Sequence, residues 1–303
     1  MSVLSFRLGI PAVPQPGFDP VAYGRYAEEL GFDFLSVSDH PADSGGSYEA
    51  WTVLSWIAAS TTRIKLATRV LGVPYRPPTI VAKMAETFDR LSGGRLILGL
   101  GGGYSDGEFR AFGLPVPTAR EKVDGLADAI HIARGLWSQP AFTYHGRAYR
   151  TDEATVAPLP EHRIPIWLGT FGIRALAVTG TLADGWFPSL GSAPPDQVTG
   201  MRDKILAAAA AAGRAPEEIT CAYHFEVDPS PSAPDEPWVV SGPAGKIAET
   251  LAGFAGLGFT ALSLVPGGPD RAETAQLLAA DILPAVRELA PRAAGTGEAL
   301  GTP

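Results

Sequence analysis

Residues 64–100 read IKLATRVLGVPYRPPTIVAKMAETFDRLSGGRLILGL. The stretch opens on an apolar run, Ile64–Leu71, and closes on another, Arg95–Leu100. Between them, Pro77–Leu91 repeats its apolar residues at helical spacing. Pro77 stands near the first turn, where a missing N–H costs nothing. Gly93 follows the last turn, where a left-handed cap is useful. Strand, helix and strand in that order make a parallel βαβ unit.

The same alternation extends in both directions. Before the quoted stretch come strands at Phe6–Ile10 and Phe32–Ser38, with helices at Pro20–Leu30 and Tyr48–Ala59. After it come a helix at Arg120–Trp137 and strands at Ile164–Leu168, Gly185–Leu190, Glu218–Val227 and Ala261–Val265. Their helices are Ile173–Leu182, Pro195–Ala212, Pro243–Leu257 and Pro269–Glu288. Eight βα units in 303 residues predict an α/β fold, a closed (β/α)8 TIM barrel, rather than an open sheet. Gly101–Pro117 reads as a long loop inserted after strand 4, and Phe142–Arg150 as a strand pair inserted before strand 5. Asp228–Pro237 is a third irregular segment, rich in Pro, Ser and Asp. Residues 1–290 are expected to form one domain, and the aperiodic tail 291–303 is expected to be disordered.

Hydrophobic residues make up 46% of the chain and charged residues 18%, which is ordinary for a globular domain. The formal net charge of −8, with no basic block, argues against a nucleic-acid partner. No window is long and apolar enough to predict a membrane span, and no leader pattern opens the chain. The one cysteine, Cys221, forms no internal disulfide and lies in an apolar run. It reads as a buried small hydrophobe in a cytoplasmic protein. The sequence shows no His-x-x-x-His, cysteine pair or dense acidic cluster, so no metal site is expected.

A barrel of this kind builds its site at the C-terminal ends of its strands. Asp39 and His40 end strand 2, and this carboxylate–imidazole pair can orient a ligand and move a proton near neutral pH. The Gly99–Gly103 run lets backbone approach a ligand, but Tyr104 stands where a dinucleotide fingerprint needs its last glycine. Gly169-Thr170-Phe171-Gly172 precedes a helix, and the free N–H groups there suit an anion, with Arg174 in the first turn to add charge. His224 ends strand 7 and reads equally as pocket wall or core. Gly103-Tyr104-Ser105-Asp106-Gly107 matches a hydrolase elbow but falls past the strand, so Ser105 reads as a chance match.

Six stretches at this spacing carry a resemblance: Ser38-Asp39-His40, residues 71–78 (LGVPYRPP), residues 91–99 (LSGGRLILG), Gly113-Leu114-Pro115, residues 165–169 (PIWLG) and residues 183–186 (ADGW). Together they make the chain resemble the bacterial luciferase-like flavin and deazaflavin oxidoreductases, from about residue 6 to 290. The resemblance implies a (β/α)8 barrel with an insertion region, commonly dimeric, so a homodimer is expected. It implies a cofactor, reduced FMN or the deazaflavin coenzyme F420, touched by Asp39, with His40 beside its reactive ring. A cis peptide is implied at Arg69–Val70, bulging against that ring and followed by Gly72. Gly102 and the turn Gly169, Thr170, Phe171 and Gly172 complete the implied cradle, the turn holding the phosphate.

The Ser-Asp-His form resembles the F420-using branch, which implies hydride transfer between F420 and a small organic substrate. His40 is then the proton donor or acceptor and Asp39 its positioner. Deazaflavin does not activate oxygen, so the alternative, an FMN-dependent monooxygenase, is a different reaction. A non-catalytic flavin-binding barrel is the third reading. The chain departs from the branch's sugar-phosphate dehydrogenases at Ser44 and Tyr104, where those enzymes carry an aromatic residue and a glutamate. This speaks against sugar-phosphate oxidation. Tyr104 and Glu108 both stand as candidates for the second proton-transfer group, and Glu108, Trp186 and His224 as candidate substrate contacts.

Overall fold

The computed structural model describes residues 6–13, 16–42, 46–188 and 192–290. The expectations for Ser44, for the end of strand 6 at Leu190 and for the tail 291–303 lie outside the described residues. The strands are β1 (Arg7–Ala12), β2 (Phe34–Val37), β3 (Lys65–Thr68), β4 (Leu71–Gly72), β5 (Leu96–Gly101), β6 (Phe142–His145), β7 (Arg150–Ala154), β8 (Ile166–Leu168), β9 (Gly185–Trp186), β10 (Thr220–Asp228), β11 (Val239–Ser241) and β12 (Ala261–Pro266). Eight of them, β1, β2, β3, β5, β8, β9, β10 and β12, pair in parallel, and the β9–β10 and β12–β1 pairings close the ring. This is the predicted TIM barrel. Strands covered on both faces read as apolar runs, which is why the alternation was visible in the sequence.

The predicted third strand is two pieces. The Arg69–Val70 peptide, which is cis, separates β3 from β4, and both pieces pair with β5. Val70 packs over β5 and the end of β8. A Cβ on Gly101 would lie 2.6 Å from its side chain, and one on Gly169 2.9 Å away.

The helices are α1 (Pro20–Glu29), α2 (Ala50–Ser60), α3 (Pro78–Ser92), α4 (Asp106–Ala111), α5 (Ala119–Ser138), α6 (Ile173–Leu182), α7 (Pro195–Ala211), α8 (Ala244–Gly256), α9 (Arg271–Leu277) and α10 (Leu283–Leu289). Their starts are built locally. Asp19 accepts from the first free N–H groups of α1, and Thr118 and Glu121 form a reciprocal capping box on α5. Gly93 ends α3 in the left-handed region at φ 72°.

Three expectations need correction. Gly101–Pro117 is not wholly a loop, because α4 interrupts it. The last predicted helix is broken by a π-helical turn, Leu278–Ile282, between α9 and α10. Val239–Ser241 adds an unpredicted short strand beside β10. The predicted strand pair is present as the β6–β7 hairpin.

The lower barrel interior is filled by Phe34, Ala67, Ile97, Trp167, Phe187, Ala222 and Ala261. The three aromatic rings meet edge to face at 5.7–6.0 Å between centroids. No described helix is long and apolar enough to cross a membrane. Cys221 is buried as expected, and burial pushes its thiol up to about 12. The native protein should therefore resist a thiol reagent at about pH 8 and react with one equivalent only after unfolding in guanidinium. Rapid labelling of the folded protein would contradict this packing.

Candidate active site

A cavity of about 620 Å3 opens at the C-terminal ends of β2, β3, β5 and β8. Its walls include Ser38, Asp39, His40, Arg69, Val70, Gly72, Tyr75, the glycines 101–103, Tyr104, Lys122 and the turn from Gly169 to Gly172. Most of the residues expected from the sequence are thus gathered at one mouth.

Asp39 is the fixed point of that mouth. It is 5% exposed and accepts a hydrogen bond from the Gly72 N–H at 3.1 Å. Arg76 grips both of its oxygens, at 2.8 and 3.1 Å, and reaches on to Glu49, the N-cap of α2, at 2.5 Å. A bidentate guanidinium is the strongest partner a desolvated carboxylate can have. Asp39 therefore ties the end of β2 to the turn after β4. This corrects the expectation that Asp39 positions His40.

The partner of the His40 ring is Glu108. His40 Nδ1 lies 3.1 Å from Glu108 Oε1, and the Tyr75 hydroxyl donates to Glu108 Oε2 at 2.5 Å. Burial and the neighbouring Glu108 push the Tyr75 hydroxyl pKa well up, so it stays protonated. Glu108 arrives on α4. Gly103 turns the chain at φ 85°, Ser105 caps the helix, and the buried Phe109 packs against Tyr75 with ring centroids 4.9 Å apart. Asp106 clamps the helix to α5 through Lys122 at 2.9 Å. Ser105 is thus a cap, as its spacing three residues before Glu108 signals.

Tyr104 stands at the rim, 75% exposed, with its ring edge-on to His40 at 6.1 Å. Among the described residues its hydroxyl takes no part in the Glu108 chain. Gly102 lines the mouth, where a Cβ would lie 3.0 Å from Lys122. The Gly169–Gly172 turn leads into α6, whose N-cap, Gly172, provides no side-chain cap. A Cβ there would meet nothing within 4 Å, and Phe171 is half-exposed beside it. Thr170 turns away, its hydroxyl 2.7 Å from Thr179, so only its backbone serves the turn. Arg174 is tied to Asp124 at 2.9 Å.

Trp186 does not line the cavity. It is fully buried in the layer between barrel and helices, against Phe259, and donates to the Thr170 carbonyl at 2.8 Å. Alternation along β9 sends its side chain outward. Phe225 faces the same outer layer, against Phe254. His224 points inward but is 4% exposed and sits below the mouth. Arg76, Tyr75 and Lys122 went unassigned in the sequence. The capping spacing was the one local signal for α4, whereas nothing local marks Arg76 as the counter-ion of Asp39.

The fold and this mouth define a (β/α)8 barrel with a ligand site framed by a buried ion pair and a Tyr–Glu–His chain. The model of the luciferase-like monooxygenase family matches residues 7–234, and the chain belongs to that family. An F420-dependent glucose-6-phosphate dehydrogenase of Kineococcus radiotolerans is 27% identical, covering 86% of this chain and 90% of that protein. Among solved structures, an F420-dependent secondary alcohol dehydrogenase in complex with an F420-acetone adduct superposes with a TM-score of 0.83 at 19% identity, over 93% of this chain and 99% of that one. The coenzyme F420-dependent tetrahydromethanopterin reductase of Methanopyrus kandleri gives 0.79 at 22%, over 92% and 99%. At these identities the two structures establish a shared fold.

Replacing Arg76 with Met leaves Asp39 buried without a counter-charge. Such a break costs about 3 kcal/mol, so the urea midpoint should fall accordingly. An unchanged midpoint would remove the ion pair from the structural account.

Proposed function

We propose that the protein is an F420-dependent oxidoreductase acting on a small organic substrate at the barrel mouth. The observation that carries the chemistry is the Tyr75–Glu108–His40 chain at the cavity wall. The relatives named for F420 support the choice of cofactor. The mouth fits a flat ring on one side: Val70 makes an apolar surface over Gly99, Gly101 and Gly169. The uncapped N-terminus of α6 suits a phosphate, because its free N–H groups and the helix dipole favour an anion.

When bound, F420 supplies a deazaflavin ring that gives or accepts hydride. Asp39, Val70, Gly72, Gly102 and the Gly169–Gly172 turn hold it, together with the Arg69 backbone. Arg76 holds both oxygens of Asp39 in place, so the cradle is organised before the ligand arrives. His40 carries the proton at its ring, and Glu108 orients that ring through Nδ1. Tyr75 holds the other Glu108 oxygen and keeps the carboxylate from swinging away.

The substrate of this chain differs from that of its sugar-phosphate relatives. Arg69 and Lys122 are the cations among the described lining residues, and Lys122 is already bound to Asp106. A phosphate clamp would need more free positive charge than this mouth offers.

Titration of the purified protein with F420 and with FMN tests the cofactor. F420 should bind and FMN should bind more weakly; tight FMN binding without F420 binding would overturn the reading. His40→Ala and Glu108→Gln should each lower kcat by about a hundredfold while leaving F420 affinity in place. Unchanged turnover in either variant would sink the proton-transfer role.

A further inference from the structure

Above the aromatic plug, the barrel interior carries polar groups that the cofactor cradle does not use. They lie on neighbouring strands. His224 on β10 stands opposite Ser263 on β12, Ser263 opposite Gly9 on β1, and Ser36 on β2 opposite Pro11 on β1. Arg69 follows β3, the next strand round, and its N–H bonds the Val37 carbonyl at 2.7 Å. Ser36 and Ser263 are fully buried and His224 is 4% exposed. Among the described residues, Ser36 Oγ, Ser263 Oγ, His224 Nδ1 and Arg69 Nε have no hydrogen-bond partner. Buried polar atoms are ordinarily paired, so four orphans on one wall mark a polar lining that the strands themselves do not satisfy.

Arg69 is the charge in this patch. Its side chain borders the cavity. Burial pushes its guanidinium down to about 10, with no acid drawing it back. It remains protonated at neutral pH, and burial together with that charge keeps His224 neutral. The carboxylates of β10, Glu226 and Asp228, pack toward Gly267 and Gly268. Among the described residues neither pairs with Arg69. Arg69 is only partly exposed, at the cavity wall, and a guanidinium there without a counter-ion favours an anionic visitor.

The charge is single and the donor is a planar fork, which matches a carboxylate better than a phosphate dianion. We propose that Arg69 anchors a carboxylate of the substrate at the inner edge of the cavity, with Ser36, Ser263 and neutral His224 forming the polar wall behind the guanidinium. The two residues of the cis peptide then divide the work. Val70 supports the cofactor, and Arg69 reads the substrate beneath it. The location of the cofactor rests on the function proposed above. The carboxylate site itself is read from this chain alone.

Calorimetric titration with benzoate, with its uncharged analogue benzamide and with inorganic phosphate tests the site. The wild-type protein should bind one benzoate, and benzamide and phosphate about tenfold more weakly or worse. Arg69→Met should lose benzoate by about tenfold or more while keeping its melting temperature, since it removes a buried unpaired charge. Arg69→Lys keeps the charge without the fork and should bind with intermediate affinity; it decides the matter if the Met variant does not fold. Equal binding of benzoate and benzamide, tighter binding of phosphate, or undiminished benzoate binding by both variants would overturn the proposal. So would loss of F420 affinity with benzoate unaffected, because the guanidinium would then serve the cofactor. Failure of F420 to bind the wild-type protein would sink the cofactor reading alone and leave the benzoate comparison standing.

Discussion

Phe34, Trp167 and Phe187 meet edge to face in the lower half of the barrel, and the closed ring is built around that contact. The rings fit because their neighbours have no side chain. Gly9 leaves room for Phe34, and a Cβ on Gly185 would lie 2.5 Å from the Trp167 ring. The plug closes one end of the barrel and leaves the other to the strand ends. Parallel pairing directs every strand the same way, so Asp39, Arg69, Gly101 and Gly169 arrive together at the open end.

At that end, rigid and protonic parts are kept separate. The Asp39–Arg76–Glu49 cluster holds strand ends and helix α2 in register. The Tyr75–Glu108–His40 chain sits beside it, on elements that cluster positions. Gly72 and Tyr75 both lie in the turn that Asp39 grips, so a single buried carboxylate orders the cavity wall and the foot of the Tyr75–Glu108–His40 chain. Helix α4 then supplies Glu108 from a separate segment, anchored by Phe109 under the mouth.

The strand and helix positions were legible because each is a local pattern: apolar runs for buried strands, helical spacing, prolines at first turns and glycines just past the last. The Asp39–His40 pair was legible from its place at the end of strand 2, and the cis peptide at Arg69–Val70 through the resemblance. Trp186 was misread because a terminal strand residue was taken as facing the mouth, whereas the side-chain alternation sends it outward. Glu108 stayed one of two candidates because α4 is short and its capping residue, Ser105, was set aside with the elbow pattern.

Sequence alone determined that this chain is a (β/α)8 barrel of luciferase-like type with Asp39 and His40 at the C-terminal rim of its strands. Periodicity and motif spacing are properties of neighbouring residues, and they survive without coordinates. Tertiary structure decided the pairings: Asp39 with Arg76 rather than with His40, and His40 with Glu108. Those contacts join residues far apart in the chain, and their partners are chosen by ring closure and by the inward or outward face of each strand. No local pattern carries that information.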